Sequence, residues 1–361
     1  MSGRWDGLAA RLEALVAIRS ESREEARILG WIRERLPVGF DVVDDRDAVL
    51  FATSARRAGA PLVLLVGHVD TVPMGGSAPG RRGDTIAGRG SADMKAGLAV
   101  MLEVADAIGR GELAGDLDVG LLFFGREELP FGESALMPFL DRSSAAREAA
   151  LGIVLEPTAN RLELGCLGNL TATVTVTGEA AHTARPWLGR NAIHGAIEAL
   201  APLADLPTRD VTVDGLMYRE VASVTTIAGG TATNVVPDRV TATVNLRYAP
   251  TQSREDAERR LRELLGHPSA QVDVVGNAPP GTVPIGNVLV ERLRAAGDLE
   301  MGPKQAWTPV AELGLAGVDA VNFGPGDPEY AHRDDEQVDV ASMERSCDVL
   351  TAFLGDGGTR A

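Results

Sequence analysis

The sequence predicts an α/β protein with a second, smaller α+β domain inserted into its chain, and three observations lead there. To about residue 160, short apolar segments such as "PLVLLVGHVD" and "LDVGLLFFG" alternate with helical stretches, the pattern of parallel strands buried on both faces. From Leu167 the texture switches to strict period-two alternation in "LTATVTVTG", which marks a strand of a different sheet with one face exposed. After about residue 277 the first texture returns through "AVNFGPG" and "VASMERSCDVLTAFLG". The expected organisation is a discontinuous domain over 1–166 and 278–361, with 167–277 inserted.

In order, the first domain is expected to hold an amphipathic helix near Trp5 to Leu36, strands near Asp41 to Ala52, and the strand ending in "GHVD". A Gly-rich loop, a helix through "AGLAVMLEVADAIG" and strands "LDVGLLFFG" and "LGIVLEP" follow. The insert reads as strand "LTATVTVTG", helix "NAIHGAIEALAPLA", strands "VASVTTIAGG" and "RVTATVNLRYAP", helix "SREDAERRLRELLG" and strand "AQVDVVG". That β-α-β-β-α-β order is ferredoxin-like. The terminal "GDGGTRA" is expected to fray.

The chain has 361 residues and a formal net charge of −16, which opposes a broad nucleic-acid or anionic-membrane surface. Its opening stretch lacks the apolar core of a signal peptide, and no segment has the length to span a bilayer. A cytoplasmic protein without a nucleic-acid or membrane partner is expected. Cys166 and Cys347 are too few for a disulfide framework and lack metal-knuckle spacing, so they read as small buried residues.

The chemistry gathers at strand ends. His68 and Asp70 are two residues apart after "LLVG" and so point the same way. Glu127 and Glu128 follow "LLFFG", Glu156 follows "VL", and His332 follows the apolar segment near Val321. Asp93 stands in the Gly-rich loop "GRGSADMKAG", which lacks the Gly-Lys-Ser/Thr ending of a nucleotide P-loop. Adjacent acids after a buried strand are costly without a cation. His, Asp and Glu without Cys suit a hydrolytic zinc site. There are more ligands here than one tetrahedral ion needs, which suits two ions sharing a bridging carboxylate. Asp70 is expected to accept a hydrogen bond from the far ring nitrogen of His68. His194 reads as helix packing and His267 as a surface residue.

The motifs "GHVDTVP", "GRGSADMKAG", "REE", "LEPT", "HTARPWLGRNAIH", "TNVVPD" and "AHRDDE", in that order, resemble the di-zinc aminoacylase and carboxypeptidase family of metallopeptidases. The resemblance implies a zinc-peptidase-like catalytic domain with an inserted dimerisation (lid) domain. It implies that His68 and Glu156 hold one Zn²⁺, Glu128 and His332 the other, with Asp93 bridging, Glu127 as general base and Asp70 orienting His68. Co²⁺ or Mn²⁺ would be substitutes. It further implies a homodimer in which His182 reaches the partner's active site to polarise the scissile carbonyl. Asn234 and Arg247 would lie near the substrate, Arg247 clasping a succinyl carboxylate. Arg185 either touches substrate or pairs with an acid.

The substrate implied is a small N-acyl amino acid. Within the family the chain is most similar to the branch that hydrolyses N-succinyl-LL-2,6-diaminopimelate, with an N-acyl-amino-acid deacylase or dipeptidase as the alternative and an inactive binding homologue as the remote one. One segment departs from that branch: in "QAWTPVAELG", Pro309 and Glu312 stand where Asp and Arg are expected. Either this loop lines the pocket and disfavours an acidic substrate, or both positions face solvent.

Overall fold

A computed structural model describes residues 5, 7–76, 78–113 and 115–355, so the last six residues of the expected frayed tail lie outside the described residues. The chain forms two compact units. The first comprises Met1–Gly165, Thr282–Lys304 and Thr308–Ala361, and the second Cys166–Gly281 with Gln305–Trp307.

The expected first helix is two, α1 (Leu8–Val16) and α2 (Ala26–Arg33). Between them the backbone leaves the helix to hydrogen-bond elsewhere: Ser22 N–H donates to Thr71 O, and Arg23 adopts a left-handed φ of 78°. Strands β1 (Phe40–Arg46) and β2 (Val49–Ser54) form a hairpin turned by Asp47 and Ala48, both at positive φ, the geometry that matches strand twist. Then come β3 (Leu62–His68), β4 (Gly80–Arg82), β5 (Thr85–Ala87), α3 (Ala96–Gly109), β6 (Asp118–Phe124), α4 (Leu136–Arg142), α5 (Ser144–Arg147), β7 (Leu151–Val154) and β8 (Leu162–Leu164).

The second unit runs β9 (Gly168–Thr177), β10 (Ala181–His182), α6 (Ala192–Ala204), β11 (Arg209–Val213), β12 (Leu216–Gly229), β13 (Val235–Val236), β14 (Arg239–Tyr248), α7 (Arg254–Leu264) and β15 (Ala270–Ala278). The first unit resumes with α8 (Val288–Gly297), β16 (Met301–Pro303), α9 (Val310–Leu315), β17 (Ala320–Asn322), β18 (Gln337–Asp339) and α10 (Val340–Leu354).

The large sheet of the first unit has the order β1-β2-β6-β3-β7-β17-β8-β16. It is mixed rather than parallel throughout. β6, β3, β7 and β17 are parallel, but β2 runs antiparallel both to β1, its hairpin partner, and to β6, and β8 runs antiparallel to β17. β3 is buried at all seven positions, as a central strand covered on both faces must be. The four parallel strands deliver their carboxyl ends to one edge, where α/β sheets collect ligands.

In the second unit the antiparallel order β11-β12-β14-β9-β15 contains the ferredoxin-like arrangement, with β11 as an added edge. Leu170, Ala172, Val174 and Val176 point into a core closed by Ala196 and Leu203 of α6 and Leu261 of α7. α7 begins with a reciprocal cap in which Ser253 and Asp256 satisfy each other's backbone, a device worth about 1 kcal/mol. β11 pairs only with Leu216–Glu220 of β12, so Val221–Gly229 forms an open edge carrying the exposed Val224 and Ile227.

Candidate active site

Each strand end contributes a group to one cluster in the first unit. His68 ends β3 and is buried, and its Nδ1 donates to the Asp70 carbonyl at 3.0 Å. That bond fixes the tautomer and leaves Nε2 as the electron-pair donor. Nε2 lies 3.1 Å from Asp93 Oδ1 and 3.6 Å from Glu156 Oε1. On the other side, His332 Nε2 lies 3.1 Å from Glu128 Oε1 and 3.3 Å from Asp93 Oδ2. Asp93 therefore presents one oxygen to each imidazole. His332 is held at φ 64°, an uncommon conformation for a side chain of its size and one found at functional positions.

The expectation for Asp70 needs correction. Its carboxylate is 3.6 Å from His68 Nδ1, and the close partner is its backbone carbonyl. The carboxylate instead accepts from Ser22 Oγ at 2.7 Å and from the N–H groups of Glu127 and Glu128 at 3.1 and 3.2 Å. Asp70 thus anchors the turn that carries the paired acids as well as the imidazole.

Two supporting residues were not singled out from sequence. Ser22 lies in the break between α1 and α2. Glu336, buried at the end of "AHRDDE", accepts from the N–H groups of Gly90, Ala92 and Asp93 at 3.0 to 3.1 Å and from Arg89 at 3.0 Å. The Gly-rich loop is an anion cradle after all, filled by the protein's own carboxylate. Any side chain at Gly90 would be strained, since its φ is 79° and a Cβ would meet Thr71 Cγ2 at 2.7 Å.

The electrostatics call for cations. Burial, reinforced by the charges of Glu156, Glu128 and Asp93, pushes Glu127 well above the usual carboxylate range, and burial beside Asp93 takes Glu156 to about 7. Burial opposes a charge on His68, but the nearby carboxylates of Asp70 and Asp93, with the charges of Glu127 and Glu156, prevail and raise it. Hydrogen bonds that His332 donates to Asp93 and Glu128 lift it to about 10. Glu156 Oε1 is buried with no hydrogen-bond partner. A tetrahedral ion with ligands at about 2.0 to 2.2 Å sets neighbouring ligand atoms about 3.3 to 3.6 Å apart, close to the separations found here. The residues fit a divalent metal, and His68, Asp93 and Glu128 also satisfy the mutual distances of a shared ion.

The remaining expected site residues belong to the second unit. His182 on β10 and Asn234 beside β13 are neighbours, since Thr183 N–H donates to Asn234 O at 3.1 Å. The exposed His182 accepts from Ala184 N–H at Nδ1, at 3.0 Å, so a ring N–H is left to Nε2. Arg185 is exposed. Arg247 is half-buried, hydrogen-bonded through Nε to Asn245 Oδ1 at 3.1 Å, and has no carboxylate partner among the described residues. It lines a cavity of about 390 Å³ with Leu167, Met217 and Val221. His194 is exposed on α6 rather than packed.

Pro309 and Glu312 correct both expectations for their loop: each is buried, at the start of and within α9. Glu312 is 0 % exposed, and burial raises its carboxyl to about 8, with Ser134 and the Met137 backbone facing it short of full hydrogen-bond geometry. At neutral pH it is an uncharged acid and presents no anion to a substrate. Between about pH 4.5 and pH 8 the unfolded chain releases this proton while the folded chain keeps it. The contribution of Glu312 to wild-type stability therefore falls as pH rises through that window, by at most about 1.4 kcal/mol per pH unit. Glu312→Gln removes the titration, so its Tm should gain on wild type from pH 5 to pH 8; parallel Tm curves would contradict this.

No helix among the described residues is long and apolar enough to cross a membrane. Residues 165–273 match the family model "Peptidase dimerisation domain", and residues 49–154 match "Peptidase family M28". A Mycobacterium tuberculosis protein with the provisional name succinyl-diaminopimelate desuccinylase is 39% identical over 350 residues, covering 95% of this chain and 96% of that one. The succinyl-diaminopimelate desuccinylase of Corynebacterium glutamicum is 34% identical, with 95% of both chains covered. In fold, an M20 family metallo-carboxypeptidase from Sulfolobus solfataricus matches with a TM-score of 0.76 at 18% identity, over 97% of this chain and 98% of that one. The strand-end cluster and these matches agree: the chain belongs to the M20 family of metallopeptidases, metal-dependent hydrolases of amide bonds.

Proposed function

We propose that the protein is a two-zinc desuccinylase that converts N-succinyl-LL-2,6-diaminopimelate and water into succinate and LL-2,6-diaminopimelate, a step of lysine biosynthesis. The observation that carries the reaction is Asp93, one carboxylate oxygen toward His68 and the other toward His332. His68 and Glu156 would hold one zinc and Glu128 and His332 the second, both sharing Asp93, with Co²⁺ or Mn²⁺ as substitutes. Bound zinc supplies a water acidified to a pKa of roughly 7 and a polarised amide carbonyl.

The protein's own residues then move the protons. Glu127, held by its N–H on Asp70, accepts the proton of the attacking water and delivers it to the departing amine. The raised proton affinity of its buried carboxyl suits this two-way task. The outward Nε2–H of His182 is a donor for the oxyanion, contributed by the partner subunit of a homodimer, with Asn234 beside it. The open β12 edge and its exposed Val224 and Ile227 are surfaces a second copy would cover. Arg247, a guanidinium without an acidic partner among the described residues, lines a cavity together with Arg219, Gln305 and the apolar Leu167, Met217 and Val221 and is suited to clasp the succinyl carboxylate with two hydrogen bonds. The relatives named as desuccinylases support the same acyl group, and the uncharged Glu312 removes the charge objection to it. The buried thiols of Cys166 and Cys347 accord with a cytoplasmic setting.

The experiment is amine release by zinc-loaded protein on N-succinyl-LL-2,6-diaminopimelate beside N-acetyl amino acids, other N-succinyl amino acids and dipeptides. Preference for the first supports the assignment. Preference for an N-acetyl amino acid or a dipeptide overturns it and leaves the deacylase or dipeptidase reading.

A further inference from the structure

The turn that carries Glu127 and Glu128 also carries an arginine that no step above uses. Gly125 and Ala135 close this segment into a loop, with Ala135 N–H donating to Gly125 O at 3.2 Å. Arg126 stands at φ 64°, a conformation disfavoured for a long side chain and kept where surroundings require it. It is half-buried, and its guanidinium has no hydrogen bond or ion pair to any described residue. Arg23, the other arginine of the cavity that Arg126 lines, is by contrast paired with Glu133.

Arg126 lines a cavity of about 470 Å³ with Arg23, Glu133 and Ser134. Both walls of this cavity continue into the metal cluster along the chain. Arg126 is followed directly by Glu127, and Arg23 is preceded by Ser22, whose hydroxyl donates to Asp70 at 2.7 Å. The cavity therefore offers the uncommitted guanidinium of Arg126 and, close by, the carboxylate of Glu133, whose Oε2 pairs with Arg23 while Oε1 remains for a second donor. Arg126 is adjacent in sequence to Glu127 of the cluster that would cleave the amide.

We propose that this cavity is the subsite for the far end of the substrate, an α-amino-carboxylate group whose carboxylate pairs with Arg126 and whose ammonium faces Glu133. A planar guanidinium recognises a carboxylate through two parallel hydrogen bonds, and the neighbouring acid makes the pocket complementary to a zwitterion rather than to a simple anion. On the desuccinylase reading, on which this inference rests, the leaving diamino acid ends in such a group. Nα-succinyl-L-lysine is the same molecule without the distal carboxylate. Arg126 would thus separate the two substrates, whereas Arg247 addresses the succinyl group common to both.

The test compares kcat/KM for N-succinyl-LL-2,6-diaminopimelate and Nα-succinyl-L-lysine in wild type, Arg126→Met and Arg126→Lys. The expected result is a ratio favouring the diaminopimelate substrate that falls at least tenfold in Arg126→Met through KM, and by less in Arg126→Lys, which keeps the charge but loses the fork. A ratio that is the same in wild type and Arg126→Met overturns the subsite. Calorimetric binding of LL-2,6-diaminopimelate and L-lysine to the zinc-loaded proteins separates this failure from failure of the substrate assignment. Should wild type hydrolyse neither substrate, tighter binding of diaminopimelate that is lost in Arg126→Met upholds the subsite while the desuccinylase reading fails. Equal binding by wild type and variant overturns the subsite as well.

Discussion

Glu127→Gln is expected to lower kcat by about 10²- to 10⁴-fold, the range for a positioned general base, while zinc content stays at the wild-type level. The separation of effects follows from geometry. The Glu127 side chain acts on the cluster through space, and what ties it to Asp70 is its backbone N–H, which Gln retains. Gln is of nearly equal size and cannot hold the transferred proton. Metal analysis and steady-state kinetics on the same preparation check both halves. Substantial turnover with normal zinc would remove Glu127 as the base, and loss of zinc would make it a ligand.

His182→Ala is expected to cost about 10²- to 10³-fold in kcat, the scale of one oxyanion donor, again without loss of metal, since every proposed ligand lies in the other unit. In a homodimer with shared sites, mixing this variant with Glu127→Gln restores one intact site in each mixed dimer: Glu127 from one chain and His182 from the other. Statistical exchange makes half the dimers mixed, so activity should recover to about a quarter of wild type. Mixed dimers verified by mass spectrometry that show no recovery would contradict a site completed across subunits.

The strand ends were legible because their signals are local. A run of buried residues followed by an acid or imidazole is visible in "LLVGHVD", "LLFFGREE" and "GIVLEP", and the parallel pairing of β3, β6 and β7 needs no further information to gather those ends. The alternation of Leu170 to Val176 likewise names the buried face of β9. What stayed hidden depends on partners distant in sequence. Glu336 earns no notice as one acid among several until the N–H groups of Gly90, Ala92 and Asp93 converge on it from more than 240 residues away. Ser22 looks like a helix residue until Asp70 is beside it. Asp70 was placed in the right neighbourhood with the wrong atom, because spacing puts a carboxylate near His68 but does not say that backbone donors at 127 and 128 will claim it. Glu312 reads as a surface charge by type, and only the packing of α9 against α4 makes it a buried acid.

The central claim is a pair of cation sites joined by Asp93, and the count of ions per chain tests it most directly. Chelator-stripped protein titrated calorimetrically with Zn²⁺, and checked by elemental analysis after dialysis, should take up two zinc ions per chain, with amide hydrolysis appearing as they fill. Asp93→Ala should lose both. A single zinc per chain at saturation, or two that persist in Asp93→Ala, would contradict the bridged site.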